Sequence, residues 1–356
     1  MRKPPSISRW AFLSEGITVF QTELIIFIQS ISSDFWTLFF KFWTEIGYLS
    51  WIRIVVLLVL FGLSFRAGFI LLHTIVWNGL ITMYVKDVFA LPRPWQVDVN
   101  VQLLGQEIPN PALFRSMGAK SFFGGIPHGV IEVLRENPLG SWGFPSGHTS
   151  NAVALWGSLS LFLKKAWVGL IAIAMIIFIP LSRMYLGVHF LADILAGYLI
   201  GVMVVLLFYK YGHQNAWYQT ILNKKLGQIP RDAKTGLFLL YLLVLPFLLL
   251  PIPGVQRVGI AVFIGANFGY ALLWIRGIPK DTGTVGQRLA RIGLALVIYL
   301  GSDFLFKKGT GFFISNEPDL VEFLRYAVTT FLLLWGSTEV SIKLGLFQRE
   351  ISSIKS

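Results

Sequence analysis

Three short segments of the sequence carry the side chains that could do chemistry on a phosphate ester. They read KDVFALPRP, FPSGHT and SRMYLGVHFLAD in chain order. Their reactive side chains are Lys86, Arg93, His148, Arg183, His189 and Asp193. Phosphoryl transfer requires a nucleophile, a proton donor for the leaving oxygen and cations for the equatorial oxygens. Two imidazoles and three cations supply these, so the segments predict a phosphoryl-transfer site if the fold brings them together.

The local sequence predicts how each segment presents its groups. Two prolines break the helix of the first segment and place Arg93 just beyond its end. In the second segment, Ser146 can cap the next helix and Gly147 leaves backbone N–H groups pointing outward, which makes an anion site. In the third, His189 and Asp193 are four residues apart and share one helix face. The carboxylate can therefore hold one imidazole nitrogen while the other attacks.

Each of these residues also has a purely structural interpretation. A single Lys86 at the end of an apolar run is usually an interfacial anchor, and a histidine at a helix start is often a hydrogen-bonded polar residue. Asp193 differs because it lies inside an apolar run, where a buried charge is costly and usually functional. The joint occurrence of the three segments favours catalysis.

The composition indicates an integral membrane protein. Hydrophobic residues make up 55% of the 356-residue chain and charged residues only 13%, against about 25% charged in soluble domains. The net charge of +12 comes from basic residues in short segments between apolar runs, so no nucleic-acid partner is expected. The chain has no cysteine for a thiolate site and no carboxylate cluster for magnesium, so neither a metal nor a cofactor is expected.

Apolar runs that could cross a bilayer recur along the chain. The nine candidates are Tyr48–Ser64, Gly68–Val85, Thr149–Leu163, Trp167–Leu181, Phe190–Tyr209, Gly236–Leu250, Val258–Ile275, Leu289–Phe306 and Val321–Leu344. Before them, Ile17–Ser32 and Phe35–Trp43 are interrupted by polar residues and are predicted to be interfacial or re-entrant helices. The fold class is therefore an all-α polytopic transmembrane bundle of about nine spans with N-terminal interfacial helices.

Basic residues orient this array. If the end of the second span at Lys86 faces outward, alternation puts most of the basic connections on the inside, as the positive-inside bias requires. The three reactive segments then lie at one membrane face, the outer one. The longest outward connection is residues 95–143, which we call the outward loop. A loop of this length could act as a lid.

The same pattern divides the chain. The predicted parts are N-terminal interfacial helices at 1–47, a catalytic core of five spans at 48–212 that includes the outward loop, a cytoplasmic linker at 213–235, a four-span extension at 236–345 and a tail at 346–356. In the extension, Asp303, Glu339 and Asn267 stand apart in the sequence and form no reactive constellation. The extension either supports the core or a homodimer contact, or shapes the access of substrate.

The pattern Lys-x6-Arg-Pro, Pro-Ser-Gly-His and Ser-Arg-x5-His-x3-Asp resembles the signature of the phosphatidic acid phosphatase type 2 superfamily. That superfamily includes bacterial acid phosphatases, vanadium haloperoxidases and glucose-6-phosphatase. The resemblance covers about residues 34–210, and the motifs match at every functional position.

The resemblance implies a role for each matched residue. His189 would be the nucleophile that forms a phospho-enzyme, Asp193 would orient it, and His148 would protonate the leaving alkoxide and then activate water. The phosphate-binding residues would be Lys86, Arg93, Ser146, Gly147 and Arg183. The family needs no metal.

These observations together predict a phosphatase of lipid phosphates or diphosphates in a membrane, expected to be the bacterial inner membrane with the site on the periplasmic face. Three alternatives stay open: a phosphatase of a soluble sugar phosphate, a phosphotransferase that uses an alcohol acceptor, and a lipid transporter on the same scaffold. The expected partners are the lipid substrate and the bilayer, with a homodimer possible.

Overall fold

The structure is a computed structural model that describes residues 20–105, 114–120, 124–136, 140–223, 232–313 and 318–349. Several predictions lie partly outside these residues: the start of the N-terminal helices, pieces of the outward loop, the middle of the linker and the end of the tail.

The part of the chain that the structure describes is built of helices, and β-structure is limited there to one isolated bridge between Pro279 and Arg349. The helices are α1 (Glu23–Gln29), α2 (Asp34–Ile46), α3 (Leu49–Leu63), α4 (Phe65–Phe89), α5 (Pro94–Val97), α6 (His128–Glu136), α7 (residues 147–163), α8 (Ala166–Tyr185), α9 (Leu191–His213), α10 (Ala216–Asn223), α11 (Ala233–Leu249), α12 (Arg257–Arg276), α13 (Val285–Phe313) and α14 (Pro318–Lys343). The predicted all-α fold is confirmed.

Six helical segments of the described chain are long and apolar enough to cross a membrane. They are Phe65–Val97, Ala166–Tyr185, Leu191–His213, Arg257–Arg276, Val285–Gly309 and Pro318–Lys343. The pair α1 and α2 is bent by 117°, as in a broken span or a re-entrant loop, and would make a seventh. The other three predicted spans coincide with α3, α7 and α11, which are helical but shorter than 18 residues. The count of nine is therefore not confirmed, because apolar runs in the sequence do not show where a helix ends.

The surfaces of the spans are apolar. Leu199 on α9 is 71% exposed and Val297 on α13 is 68% exposed. Apolar side chains exposed along helices of this length avoid water when lipid tails cover them. The exposure pattern agrees with the membrane character that the composition indicates.

Two compact units make up the chain. One consists of Met1–Trp51 with Ile81–Val205, and the other of Ile52–Leu80 with Leu206–Ser356. All three reactive segments belong to the first unit. The functional division into core, linker and extension stays a prediction.

In the first unit, glycines let α9 approach α7 closely. Gly197 and Gly201 follow Asp193 at intervals of four residues, so all three share one face of α9. A Cβ atom on Gly197 would lie 2.7 Å from the carbonyl oxygen of Ser146, and one on Gly201 would lie 2.7 Å from the Cβ of Val153. The absence of side chains on this face permits close backbone packing. It brings the start of α7 next to Asp193.

The described parts of the outward loop also make contacts within the first unit. Helix α6 buries Val130 and Ile131 in an apolar cluster that includes Phe190 of the third segment. Arg135 donates a hydrogen bond to the carbonyl of Phe89, at the end of α4, at 2.6 Å. The loop is therefore attached to elements that carry two of the reactive segments.

In the second unit, residues that stand apart in the sequence have partners in the structure. Glu339 forms ion pairs with Arg276 at 3.8 Å and with Arg349. Asp303 pairs with Lys307 at 2.8 Å, and Asn267 donates to a main-chain carbonyl at 2.8 Å. The expectation that Asp303, Glu339 and Asn267 are isolated was wrong. Arg276 and the carbonyl of Leu242 are distant in sequence from the residues they pair with, whereas Lys307 lies only four residues from Asp303.

We predict that Gly197→Ala lowers the apparent Tm of the detergent-solubilised protein. The new methyl group would meet the backbone of Ser146, and such overpacking costs about 1–3 kcal/mol. Gly169→Ala is the matched control, because the nearest atom to its Cβ is a serine hydroxyl oxygen at 3.7 Å. Equal melting curves for the two variants would show that close packing at Gly197 does not hold α7 and α9 together.

Candidate active site

Lys86, near the end of α4, holds the loop of the second segment. Its Nζ donates to the carbonyls of Trp142, Gly143 and Pro145 at 2.7, 3.0 and 2.9 Å. An ammonium group has three donors, so all of them are used on this loop. Lys86 is 6% exposed. Its charge lies in the site, whereas its hydrogen bonds go to the backbone.

Arg93 connects the second and third segments. Its Nε donates to the carbonyl of Ser141 at 2.8 Å, and one Nη donates to the hydroxyl of the same residue at 2.8 Å. The other Nη donates to the carbonyl of Val188 at 3.0 Å. The guanidinium thus ties the loop before Ser146 to the residue that precedes His189.

The second segment forms the start of α7. The hydroxyl of Ser146 caps the helix by accepting from the backbone N–H of Thr149 at 3.4 Å, and it also accepts from the Thr149 hydroxyl at 3.0 Å. The Ser146 N–H donates to the carbonyl of Asp193 at 2.9 Å. Gly147 is the first residue of the helix, where free N–H groups and the helix dipole favour an anion. The second segment is thereby attached directly to the third.

His189 and Asp193 form the pair that their spacing predicts. The Nδ1 of His189 lies 3.0 Å from the Oδ2 of Asp193, and the same oxygen accepts from the N–H of Phe190 at 2.9 Å. This contact leaves Nε2, the opposite ring nitrogen, for chemistry. Burial, followed by the charges of Arg93 and Lys86, lowers the pKa of His189 well below its ordinary value of 6.5.

The turn before His189 depends on Gly187. Its φ of 76° lies in the left-handed region that glycine adopts without strain. A Cβ atom there would also collide with the carbonyl oxygen of Gln102. The chain therefore reverses from α8 into α9 over a position that favours glycine.

His148 faces the same group of cations. Burial, followed by the charges of Arg183, Arg93 and Lys86, lowers its pKa well below 6.5. Its Nε2 has no hydrogen-bond partner among the described residues. The ring instead meets the ring of Tyr48 edge-on, with centroids 4.8 Å apart. His148 also acts electrostatically on His189, and both imidazoles are influenced by the same three cations, Lys86, Arg93 and Arg183.

Arg183 at the end of α8 completes the set. One Nη donates to the hydroxyl of Thr44 at 2.5 Å, and the charge of Glu45 acts on the guanidinium. Its Nε is buried without a partner among the described residues, and can donate to an anion. The sequence reasoning did not find Thr44 or Tyr48. The aromatic helix that ends beside them was the one available signal, and it indicates only an interface.

The other histidines lie elsewhere. His128 on α6 is exposed and pairs with Glu132 at 3.4 Å. His73 lies in the second unit, where its Nδ1 is 2.7 Å from the hydroxyl of Tyr241. The described residues include no group of three or more His, Asp or Glu that could hold a metal ion.

Residues 67–217 match the family model described as the PAP2 superfamily. The matched range contains all three reactive segments. This part of the chain belongs to the PAP2 superfamily. The resemblance inferred from the motifs is therefore confirmed. We call residues 67–217 the PAP2 segment. It contains Ala166–Tyr185, Leu191–His213 and most of Phe65–Val97, which are three of the helical segments long enough to cross a membrane.

Two relatives carry the names of enzymes that act on lipid phosphates. The chain is 36% identical over 76 residues to phosphatidylglycerophosphatase B of Bacillus subtilis, covering 19% of this chain and 37% of that protein. It is 23% identical over 206 residues to lipid A 4'-phosphatase of Bacteroides thetaiotaomicron, covering 56% of this chain and 80% of that protein. The chain thus spans about a third of the Bacillus relative.

One solved structure is similar. The crystal structure of Aquifex aeolicus LpxE has 23% identity and a TM-score of 0.39, over 54% of this chain and 95% of that one.

We predict that Arg93→Lys weakens the binding of inorganic phosphate about 10- to 100-fold. A lysine cannot reproduce the hydrogen bonds of Arg93 to Ser141 and Val188 at once, because it lacks the planar fork of guanidinium donors. Calorimetric titration of the detergent-solubilised protein measures the affinity. The exposed Arg115→Lys is the matched control, and equal phosphate affinities in the two variants would contradict the role of Arg93.

Proposed function

We propose that this membrane protein is a metal-independent phosphatase of lipid phosphates that works through a phospho-histidine at His189. The observation that supports it most is the buried hydrogen bond from His189 to Asp193, because it leaves Nε2 facing a site with three cations. Such a site is suited to a dianionic phosphate ester.

In the first half-reaction, Nε2 of His189 attacks the phosphorus atom. The new P–N bond forms as the P–O bond to the lipid breaks, and the electron pair leaves with the lipid oxygen. His148 donates a proton to that oxygen, so the product is a neutral alcohol. Asp193 stabilises the positive charge that His189 acquires. Arg93, Arg183 and the N–H groups at the start of α7 stabilise the equatorial oxygens.

His148 must be protonated for this step, although its pKa is lowered in the free protein. The lowering comes from burial and then from Arg183, Arg93 and Lys86. A bound phosphate dianion offsets these positive charges and raises the pKa of His148 again. When substrate binds, the neutral imidazole of His148 therefore takes up a proton from solvent water and becomes the acid.

In the second half-reaction, water replaces the alcohol. His148, now neutral, removes a proton from the water, whose oxygen attacks phosphorus as the P–N bond breaks. Inorganic phosphate leaves, and both imidazoles return to their starting state. Every proton transfer uses a side chain already present, so the cycle requires no metal.

The substrate class follows from the setting and from the relatives. Three long apolar helical segments of the PAP2 segment lead to the site, so a lipid can keep its chains in the bilayer while its headgroup reacts. The names of the relatives, phosphatidylglycerophosphatase B and lipid A 4'-phosphatase, support a lipid phosphate monoester. The distribution of basic residues supports a site on the outer face of a bacterial inner membrane.

A panel of lipid phosphates tests the proposal. Phosphate release from phosphatidate, phosphatidylglycerophosphate and lipid A is compared with release from glucose 6-phosphate, with and without EDTA. The expected result is EDTA-resistant turnover of at least one lipid and little turnover of the sugar. Preference for the sugar phosphate, or loss of activity in EDTA, would overturn it.

We predict that His189→Ala reduces kcat/KM for the lipid phosphate about 10⁴-fold or more. The reduction in kcat/KM caused by Asp193→Asn is expected to be at least tenfold smaller. Removing the nucleophile abolishes the covalent path, whereas the orienting residue acts only through the nucleophile. Phosphate release under single-turnover conditions measures both. Equal losses would contradict the division of roles between the two residues.

We also predict that the acid limb of kcat/KM lies below pH 6.5. His189 attacks only when neutral, and its pKa is lowered by burial and then by the neighbouring cations, so it stays competent as the pH falls through 6.5. The pH profile is corrected for the second ionisation of the phosphate ester, near pH 6. An acid limb at or above pH 6.5 after this correction would contradict the lowered pKa.

A further inference from the structure

The corner between α2 and α3, residues 44–48, touches the site from outside the matched family range of 67–217. Thr44 accepts a hydrogen bond from Arg183. Tyr48 meets His148 edge-on, with an angle of 81° between the ring planes. We name this segment the α2–α3 corner. The corner forms one side of the site, and the three reactive segments do not contribute to that side.

His148 relies on packing for its orientation. The Nδ1 of His189 is fixed by Asp193 at 3.0 Å, whereas the Nε2 of His148 has no hydrogen-bond partner in the described chain. The corner packs closely against the His148 ring. A Cβ atom on Gly47 would lie only 3.0 Å from His148 Cδ2.

Tyr48 has a second, open side. Tyr48 is 42% exposed, although its ring is in T-shaped contact with the ring of His148. A leaving group that takes its proton from His148 emerges beside this ring. An aromatic face next to the proton donor suits an apolar leaving group, because the contact buries apolar surface of both.

We propose that the α2–α3 corner positions His148 toward the leaving oxygen and that Tyr48 forms the surface against which the lipid leaving group packs. This inference rests on the proposed function. Tyr48 acts through His148 on the chemical step, and general acid catalysis is sensitive to placement on the scale of about 1 Å. The corner therefore selects phosphate esters with an apolar alcohol.

The test compares two substrates that differ in their need for an acid. An alkyl ester such as dioctanoyl phosphatidate has a poor leaving group that must be protonated, whereas p-nitrophenolate leaves without help. The value of kcat/KM reports the steps up to phospho-enzyme formation. His148→Ala sets the reference and is expected to lose about 10²- to 10⁴-fold with the alkyl ester and far less with the aryl ester.

Tyr48→Ala is expected to show the same asymmetry, with kcat/KM lowered about 10- to 100-fold for the lipid and less than about threefold for p-nitrophenyl phosphate. Tyr48→Phe keeps the ring and loses only the hydroxyl, which bonds Arg183, so it is expected to lower kcat/KM by the same small factor with both substrates. Trp51→Ala is the matched control, since Trp51 is an aromatic residue of α3 with 48% exposure.

Gly47→Ala provides an independent variant. The backbone of Gly47, with a φ of −76°, accepts alanine. The new Cβ atom would meet Ile179 at 2.9 Å, His148 at 3.0 Å and the carbonyl oxygen of Thr44 at 3.2 Å. Gly129→Ala, which meets nothing within 4 Å, is its control. Gly47→Ala is expected to show the asymmetry of Tyr48→Ala, and Gly129→Ala is expected to show none.

The outcomes separate this inference from the proposed function. Equal losses with both substrates, or no loss in Tyr48→Ala and Gly47→Ala, would overturn the positioning role while the wild type remains a phosphatase. A wild-type protein that releases phosphate from neither ester would instead overturn the proposed function.

Discussion

The carboxylate of Asp193 is the group on which the geometry of the site depends. Its Oδ2 accepts from both His189 and the backbone of Phe190, and its main-chain carbonyl accepts from Ser146. One residue thus holds the proposed nucleophile and also joins the second segment to the third. A buried carboxylate is costly unless it is paired and hydrogen-bonded. The cations around it reduce that cost, so the pair and its positive surroundings stabilise each other.

The cations are in turn held by the backbone. Lys86 donates to three carbonyls of one loop, and Arg93 donates to the carbonyls of Ser141 and Val188. Carbonyl dipoles compensate positive charge without neutralising it, so the site keeps its net attraction for an anion. Groups fixed in this way need little reorganisation when charge develops in the transition state. The close approach of α7 and α9 over Gly197 serves the same end, because it keeps the helix start at a fixed distance from Asp193.

The family segment and its surroundings contribute different things. The PAP2 segment carries the proposed nucleophile, the proposed acid and the cations, which are the parts that the reaction of any phosphate ester would need. The α2–α3 corner lies outside that range and touches His148 and Arg183, where a leaving group can be distinguished. The second unit places its ion pairs, such as Glu339 with Arg276, far from these segments in the sequence. For the extension at 236–345, support of the core or of a homodimer contact and control of substrate access both stay predictions.

The helical membrane fold, the PAP2 superfamily and the pairing of His189 with Asp193 could all be predicted from the sequence. These features are local: apolar runs reveal spans, and a spacing of four residues places two side chains on one helix face. Helix packing determines which carbonyls hold Lys86, which residues pack on His148, and the pairing of Glu339 with Arg276. The tertiary structure also decided that three of the nine apolar runs form helices shorter than a usual span. Contacts between residues distant in the chain follow no sequence period, because they arise only when helices pack together.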